Sequence, residues 1–417
     1  MKLTLIAVAT VALLAAPAFG GATFQAIDGF PGAYRSLATE VSGNGQVVVG
    51  YTYVAPEFVP YAFRWTAKDG MSSLGELPGG LVGSAAHGVS QDGSIIVGES
   101  FVEGGREAFR WTAETGMVGL GDLPGDDYYS VAFDVSDSGS IIVGFSRAAE
   151  GEEAFRWTAA DGMVGLGDLP GGRHDSYAAG ISGDGAIIAG AGNSGGSPST
   201  ADEACYWIEG QIFGMSSEFT GASASRTSAI SADGSTIVGI LDAYDEIFRW
   251  SKSAGLVRID CLPGAYAGCR PTAVSGDGAV VVGRSNVDFY LALIWDPMHG
   301  PRLLDDVLVN TFGLDIGDWV LNAPAGVSDD GTVIVGYGFD GDSKETAWIV
   351  TLPEWDACQG DIDWDLDVDL DDLQRLLHRF GKVSAPGDID GNDAVDLGDL
   401  KLLLANFGTS CGEEPAP

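Results

Sequence analysis

One unit recurs seven times along this chain, and the recurrence narrows the fold more than any other feature. A Ser-x-Asp/Asn-Gly element, with serine at the third position of the third copy, begins at Ser42, Ser90, Ser136, Ser182, Ser231, Ser275 and Ser328, at intervals of 44 to 53 residues. Each copy is followed by a β-branched run ending in glycine, such as Val47 to Gly50, Ile95 to Gly98 and Val333 to Gly336. A segment ending in tryptophan comes next, at Trp65, Trp111, Trp157, Trp207, Trp250, Trp295 and Trp348. A Leu-Gly-x-Leu-Pro-Gly exit then starts at Leu74, Leu120 and Leu166, and more loosely at Ile259. These are four short apolar segments separated by turn residues, which read as strands a to d of one small sheet. Runs this short, rich in Val and Ile and cut by Gly and Pro, exclude a helical solenoid. Four strands per repeat of this length is the period of propeller blades.

The chain ends add a second clue. Phe24 to Gly32 reads as a d strand with its Pro-Gly exit, while the seventh unit stops after its c strand, Thr346 to Thr351. Pairing the surplus strand with the incomplete blade would close a ring and remove both exposed sheet edges. An open β-solenoid is the rival topology. The expected fold is all-β, a seven-bladed β-propeller of four-stranded blades, followed by a small helical calcium-binding module. The body from Phe24 to Leu352 resembles the bacterial extracellular repeat family called HAF. The likeness lies in its Ala-Phe-Arg-Trp-Thr, Gly-Met-x-x-Leu-Gly-x-Leu-Pro-Gly and Val-Ser-x-Asp-Gly elements. The name-giving tripeptide reads Glu107-Ala108-Phe109 and Glu153-Ala154-Phe155 here, without its histidine. That resemblance implies a repeat architecture and no established chemistry.

Residues present in every blade are expected to be architectural. Asp92, Asp184, Asp233 and Asp277 precede glycine at the a–b turn, where Asp-Gly supplies the positive φ of a tight hairpin. The repeated tryptophans are expected to fill the space between sheets rather than form a carbohydrate-stacking ladder. The a–b and c–d connections are short and share one face of the ring. The b–c and d–a connections vary and share the other: 192–203, 126–129, Arg173-His174-Asp175 and the Cys261 to Cys269 loop. Binding, of a glycan or a protein, is expected on that variable face. No catalytic set stands out, because His87, His174, His299 and His378 are scattered and no phosphate-cradling loop occurs.

The first residues read as a signal peptide, 1–20, with Lys2 before the uncharged run Leu3 to Ala16 and an Ala16-Pro17-Ala18 cleavage site. The run is too short to span a bilayer, so the mature protein is expected to be secreted, with a propeller over 21–353 and a module over 354–417. A formal charge of −38 argues against nucleic acid and suits a calcium-rich setting. In an oxidising compartment, disulfides are expected between Cys261 and Cys269 and between Cys358 and Cys411, with Cys205 a buried thiol.

The module contains two twelve-residue acidic loops. Calcium takes six to eight oxygens from loop positions 1, 3, 5, 7, 9 and 12. Those positions are Asp361, Asp363, Asp365, Asp367, Asp369 and Asp372, then Asp388, Asp390, Asn392, Ala394 (backbone), Asp396 and Asp399. The apolar residues Leu370, Leu373, Leu376, Leu377 and Phe380 return 27 residues later as Leu397, Leu400, Leu403, Leu404 and Phe407. This stripe predicts that each loop leads into a packed helix. The pair looks like a type I dockerin, which implies two Ca²⁺ ions and docking onto a cohesin-like or cell-surface protein. Position 6, normally glycine, is Leu366 in the first loop and Asp393 in the second, so the second is expected to bind more tightly. Recognition positions 10 and 11 are Leu370-Asp371 and Leu397-Gly398 instead of small hydroxyl pairs. The leading expectation is a secreted calcium-binding interaction protein. A dockerin-borne polysaccharide-degrading enzyme, and a module serving only as a structural clamp, are the alternatives.

Overall fold

The computed structural model describes residues 21–409 except 57, 126–127, 196–201, 216–223, 242–245, 253–254, 260, 263–267, 287–289, 354–358, 363–367, 384–385 and 393. Residues 1–20, expected to be a signal peptide, and the expected pair Cys358 and Cys411 lie outside these residues.

Seven four-stranded antiparallel sheets follow one another, six of them in sequence order. The seventh is assembled from both ends of the chain. Its strands Val320–Val327, Val333–Phe339 and Glu345–Thr351 are completed by Thr23–Ile27, with Phe24 opposite Val350 and Ala26 opposite Trp348. The ring is therefore a closed seven-bladed propeller, and an open solenoid is excluded. Between successive blades lie seven apolar clusters, and each receives one repeat tryptophan: Trp65, Trp111, Trp157, Trp207, Trp250, Trp295 and Trp348. These side chains fill the wedge between adjacent sheets, which leaves no exposed ladder.

The other repeated residues acquire specific duties. The glycine ending each b-strand run sits under a bulge of strand a. A Cβ on Gly50, Gly98, Gly144 or Gly190 would lie 2.0 Å from a backbone oxygen of that strand. At the a–b turn, Ser90 Oγ donates to Asp92 Oδ1 (2.9 Å) and accepts from the Ile95 N–H (3.0 Å). The same arrangement recurs at Ser182, Ser231, Ser275 and Ser328. The third copy has Ser138 in place of the acid, and its hydroxyl lies 2.7 Å from Ser140 Oγ. The acids are turn formers, as expected.

A second serine, six residues earlier, joins neighbouring blades. Ser84, Ser130 and Ser176 each donate to a carbonyl just past the d strand of the preceding blade (Gly75, Gly121 and Gly167) and accept an N–H from its c strand. In the sixth blade Cys269 takes this place, and it is bonded to Cys261 as expected. Cys205 is a fully buried free thiol, and burial pushes its pKa well up. After the sixth blade a helical turn, Leu304–Asp306 then Val307–Thr311, drives Leu304, Val307 and Leu308 into the last interface. Nothing in the repeat announces it.

At the seam, Ser36 Oγ donates to the Ile27 carbonyl and accepts from the Ala347 N–H, both at 3.0 Å. Ser36→Ala strands both groups in the core, so it should destabilise the protein by about 1–3 kcal/mol. The urea midpoint should fall with its slope unchanged; an unchanged midpoint would show that the closing bonds contribute nothing.

Candidate metal centre and ligand face

Two ten-residue helices, Leu370–Arg379 and Leu397–Asn406, form the module with the acidic segments before them. Both begin with the same capping box. Asp369 accepts from the Asp371 N–H (2.7 Å) while Asp372 accepts from the Asp369 N–H (2.8 Å). Asp396 accepts from the Gly398 N–H (2.5 Å) while Asp399 accepts from the Asp396 N–H (2.7 Å). Each closing aspartate also reaches back to the start of its loop. Asp372 accepts from the Ile362 N–H and Asp399 from the Ile389 N–H, both at 2.6 Å. The duplication read in the sequence is thus a duplication of geometry.

Asp361, Asp372, Asp388 and Asp399 are almost fully buried around a core of only Ile362, Val368, Leu376, Val395 and Leu403. Carboxylates are expensive to bury unless something of opposite charge meets them. In the second loop, oxygens of Asp388, Asp390 and Asp399 lie within 4.8 Å of one another. Asn392 is held alongside, its N–H 3.1 Å from Asp388 Oδ1, and its Oδ1 accepts from the Ala394 N–H (2.9 Å). An all-oxygen donor set converging on buried carboxylates fits a hard cation such as Ca²⁺. Asp369 and Asp396, expected as ligands, have one oxygen committed to capping. Asp363, Asp365, Asp367, Leu366 and Asp393 lie outside the described residues.

One expectation needs correction. The helical stripe is not wholly packed. Leu376 and Leu403 are buried and Leu373 and Leu400 flank the core, but the other six stripe residues face solvent. The exposures match across the repeat: Leu370 and Leu397 at 57% and 61%, Leu377 and Leu404 at 52% and 53%, Phe380 and Phe407 at 42% and 45%. The apolar arc is broader than the contact two short helices can make, so only its edge enters the core.

The module sits on the sixth blade's c–d turn, which the sequence reading passed over. Met298 packs against the module core, and its carbonyl accepts from the Gly387 N–H (2.8 Å). His299 sets Nδ1 2.7 Å from Asp296 Oδ1 and Nε2 2.9 Å from the carbonyl oxygen of Asp361. Burial alone would raise Asp296, but His299 and Arg302 hold its carboxyl down to about 2. The signal was present in composition: Asp296-Pro297-Met298-His299-Gly300 stands where the first blade has Thr66-Ala67-Lys68-Asp69-Gly70.

On the opposite face, blades one to three carry a continuous aromatic and arginine surface. Tyr34 lies against Tyr53 and Phe58, with ring centroids 6.1 and 5.5 Å away. Arg147 stacks 4.4 Å from the Tyr129 ring, and Arg106 lies over Phe101 and Tyr129 while pairing with Glu99 at 2.6 Å. Tyr34, Phe58, Leu81, Val82 and Tyr128 are exposed. Arg173-His174-Asp175 gathers no buried partner; His174 meets Glu150 at 2.9 Å with both side chains in solvent, a contact of little energetic weight.

Inside the ring, the a strands enclose a cavity of about 430 Å³ lined by Thr39, Glu40, His87, Phe133 and Asp134 among others. Burial pushes Glu40 well above the ordinary carboxyl range, against the opposing Val41 N–H. Burial raises Asp134 to about 6, against N–H donors of Ile181 and Val135. Each of the two acids reaches a glycine of an adjacent blade: Glu40 at Gly326 of the seventh and Asp134 at Gly180 of the fourth. They plug gaps in the wall.

No family model matches the chain, and no curated protein matches it. Its backbone is similar to that of solved propellers. Oligogalacturonate lyase from Vibrio parahaemolyticus aligns at TM-score 0.50 and 9% identity over 80% of this chain and 98% of that one. The β-propeller domain of the trilobed protease from Pyrococcus furiosus aligns at 0.49 and 12%, over 78% and 97%. TolB from Acinetobacter baumannii aligns at 0.44 and 12%, over 61% of this chain and only 62% of that one. At these identities the likeness shows the propeller fold alone.

Asp134 gives the channel a pH signature. Its folded pKa lies above the ordinary carboxyl value of about 3.9, so the folded state holds the proton longer than the unfolded chain. The stability it contributes is whole below about pH 4 and is lost as pH rises through its folded pKa. At saturating calcium, the melting temperature should be higher at pH 5 than at pH 7.5, and Asp134→Asn should flatten that difference. An equal slope in the variant would remove the assignment.

Proposed function

We propose that this chain is a secreted calcium-binding interaction protein, in which the propeller presents a ligand face and the C-terminal module docks or anchors it. The observation that carries the reading is the module's double construction. The four buried carboxylates at the ends of its two loops call for a cation, and its helices expose the same three apolar side chains twice. A surface that leaves Leu370, Leu377 and Phe380 in water beside Leu397, Leu404 and Phe407 is built for a protein partner, consistent with the dockerin-like sequence and a cohesin-like partner. The aromatic and arginine surface of blades one to three supports a glycan as ligand, because sugar rings stack on exposed aromatic faces while their hydroxyls find charged groups alongside.

In this reading Asp361, Asp372, Asp388, Asp390 and Asp399 hold Ca²⁺, with Asn392 and the Ala394 carbonyl completing the second loop. Calcium supplies the neutralisation. The chain supplies the rest: capping boxes fix Asp372 and Asp399, and the paired helices hold the loops side by side. Binding energy then becomes folding energy for the module.

Calorimetry on the whole protein should show two calcium-binding events, with Ca²⁺ preferred over Mg²⁺, which resists dehydration. Asp388→Ala should remove the tighter event and Asp361→Ala the weaker one. Absence of calcium uptake would end the metal reading, and the reverse ranking would overturn the order of the loops. A glycan array run beside hydrolase and lyase assays tests the ligand face. Retention of a glycan without turnover is expected; turnover would establish a polysaccharide-degrading enzyme instead.

A further inference from the structure

We infer that Arg284 and Tyr290, at the variable-loop end of the sixth blade, form a subsite for the acidic group of a glycan, a uronate or a sulfate ester. The inference rests on the glycan reading of that face and narrows it to acidic polysaccharides.

The strand register sets the place. Strand Val281–Asn286 pairs with Tyr290–Asp296, and Arg284 stands opposite Ala292, one diagonal step from Tyr290. Its guanidinium carbon lies 4.9 Å from the centre of the Tyr290 ring, a cation–π stack. Arg270 stands directly opposite Arg284 on the neighbouring strand. Opposed residues point to the same side of a sheet, so two guanidinium groups share that side. Tyr290 is exposed, and at the same end of the seventh blade exposed Val320 and Phe339 are paired. Because the ring is closed, this apolar rim runs on to Tyr34 and Phe58 of the first blade.

Arg284 differs from the other arginines near it in its company. Elsewhere on this face an acid stands beside the cation: Glu345 by Arg35, Glu99 by Arg106, Glu152 by Arg147 and Asp202 by Arg226. Among the described residues no acid pairs with Arg284, and its Nε is buried without a hydrogen-bond partner. The side chain as a whole is half-buried, with its terminal nitrogens at the surface. A partly desolvated cation without a counter-charge is costly, and a guanidinium fork matches the paired oxygens of a carboxylate or sulfate. The formal charge of −38 repels small free anions. An oxyanion is therefore held here only when it is carried on a body that gains contact area as well. A sugar ring meets that condition, stacking on Tyr290 and the rim while its acid reaches Arg284.

Calorimetry on the full chain compares three hexamers of one linkage: glucose, glucuronic acid, and glucose bearing sulfate esters. At least one acidic hexamer should bind about tenfold more tightly than the neutral one, as a hydrogen bond between charged groups allows. The gap should narrow at high salt, and inorganic sulfate alone should show no binding. Which acidic hexamer binds more tightly tells uronate from sulfate ester. Arg284→Gln should erase the gap and leave the neutral affinity unchanged, whereas Arg284→Lys, which keeps the charge but not the fork, should keep part of it. Tyr290→Ala should weaken all three hexamers several-fold. The unaltered chain already decides the preference, so a variant that fails to fold does not remove the test. Acidic glycans bound no better than neutral ones, or a gap that survives Arg284→Gln, would overturn this inference alone. Absence of binding to every hexamer and to the glycan array would overturn the glycan reading beneath it.

Discussion

A sheet of four short strands cannot bury both its faces, so every blade depends on two neighbours. For the first and last blades those neighbours exist only because Thr23–Ile27 pairs with Glu345–Thr351. The partners are separated by nearly the whole body, and the bonds between them decide whether seven wedges form a ring or a row with two raw edges. The seven tryptophan clusters follow from that decision, because the seventh interface is complete only when Ile27 stands beside Phe63, Val335 and Ala347. Contacts this distant in sequence are slow to form. The blades can therefore assemble one after another, but the ring cannot lock until the last has been made.

Much of this was legible in the sequence because it repeats. The turn residues, the wedge tryptophans and the b-strand glycines each respond to a demand met seven times, and repetition separates demand from accident; the shared last blade was legible as a count of strands against that repeat. The module was legible for the same reason, twice over. What escaped was whatever occurs once. Asp296-Pro297-Met298-His299-Gly300 looks like a worn copy of a turn until its partner is in place. Glu40 and Asp134 look like polar noise at positions where other blades carry Gly88, Gly180 or Gly326. Their meaning depends on an acid in one blade facing a glycine in the next, a relation across the ring that linear spacing does not reveal. The helical stripe failed differently. Periodicity shows that a helix has an apolar face, but not how much of it a small partner can cover.

The charge of the chain acquires an address. Most of the acids capping turns or lying in loops are solvated, whereas Asp361, Asp372, Asp388 and Asp399 in the module are buried with little apolar mass to compensate. Within a small module, a handful of enclosed carboxylates outweighs the rest of the electrostatics. The propeller body has wedges and a ring to hold it; on the proposed reading, the module's carboxylates lean on a bound ion. On that reading, stability in the two parts answers to different variables, pH for the central cavity and calcium for the tail.

The module rests on the face of tight turns, and the aromatic and arginine surface lies on the face of variable loops. The molecule consequently has two poles separated by the thickness of the ring. A partner gripping Leu370, Leu377 and Phe380 at one pole casts no shadow over Tyr34, Phe58 and Tyr128 at the other. On the proposed reading, a chain held by its tail would turn the aromatic and arginine face outward, into the surrounding medium.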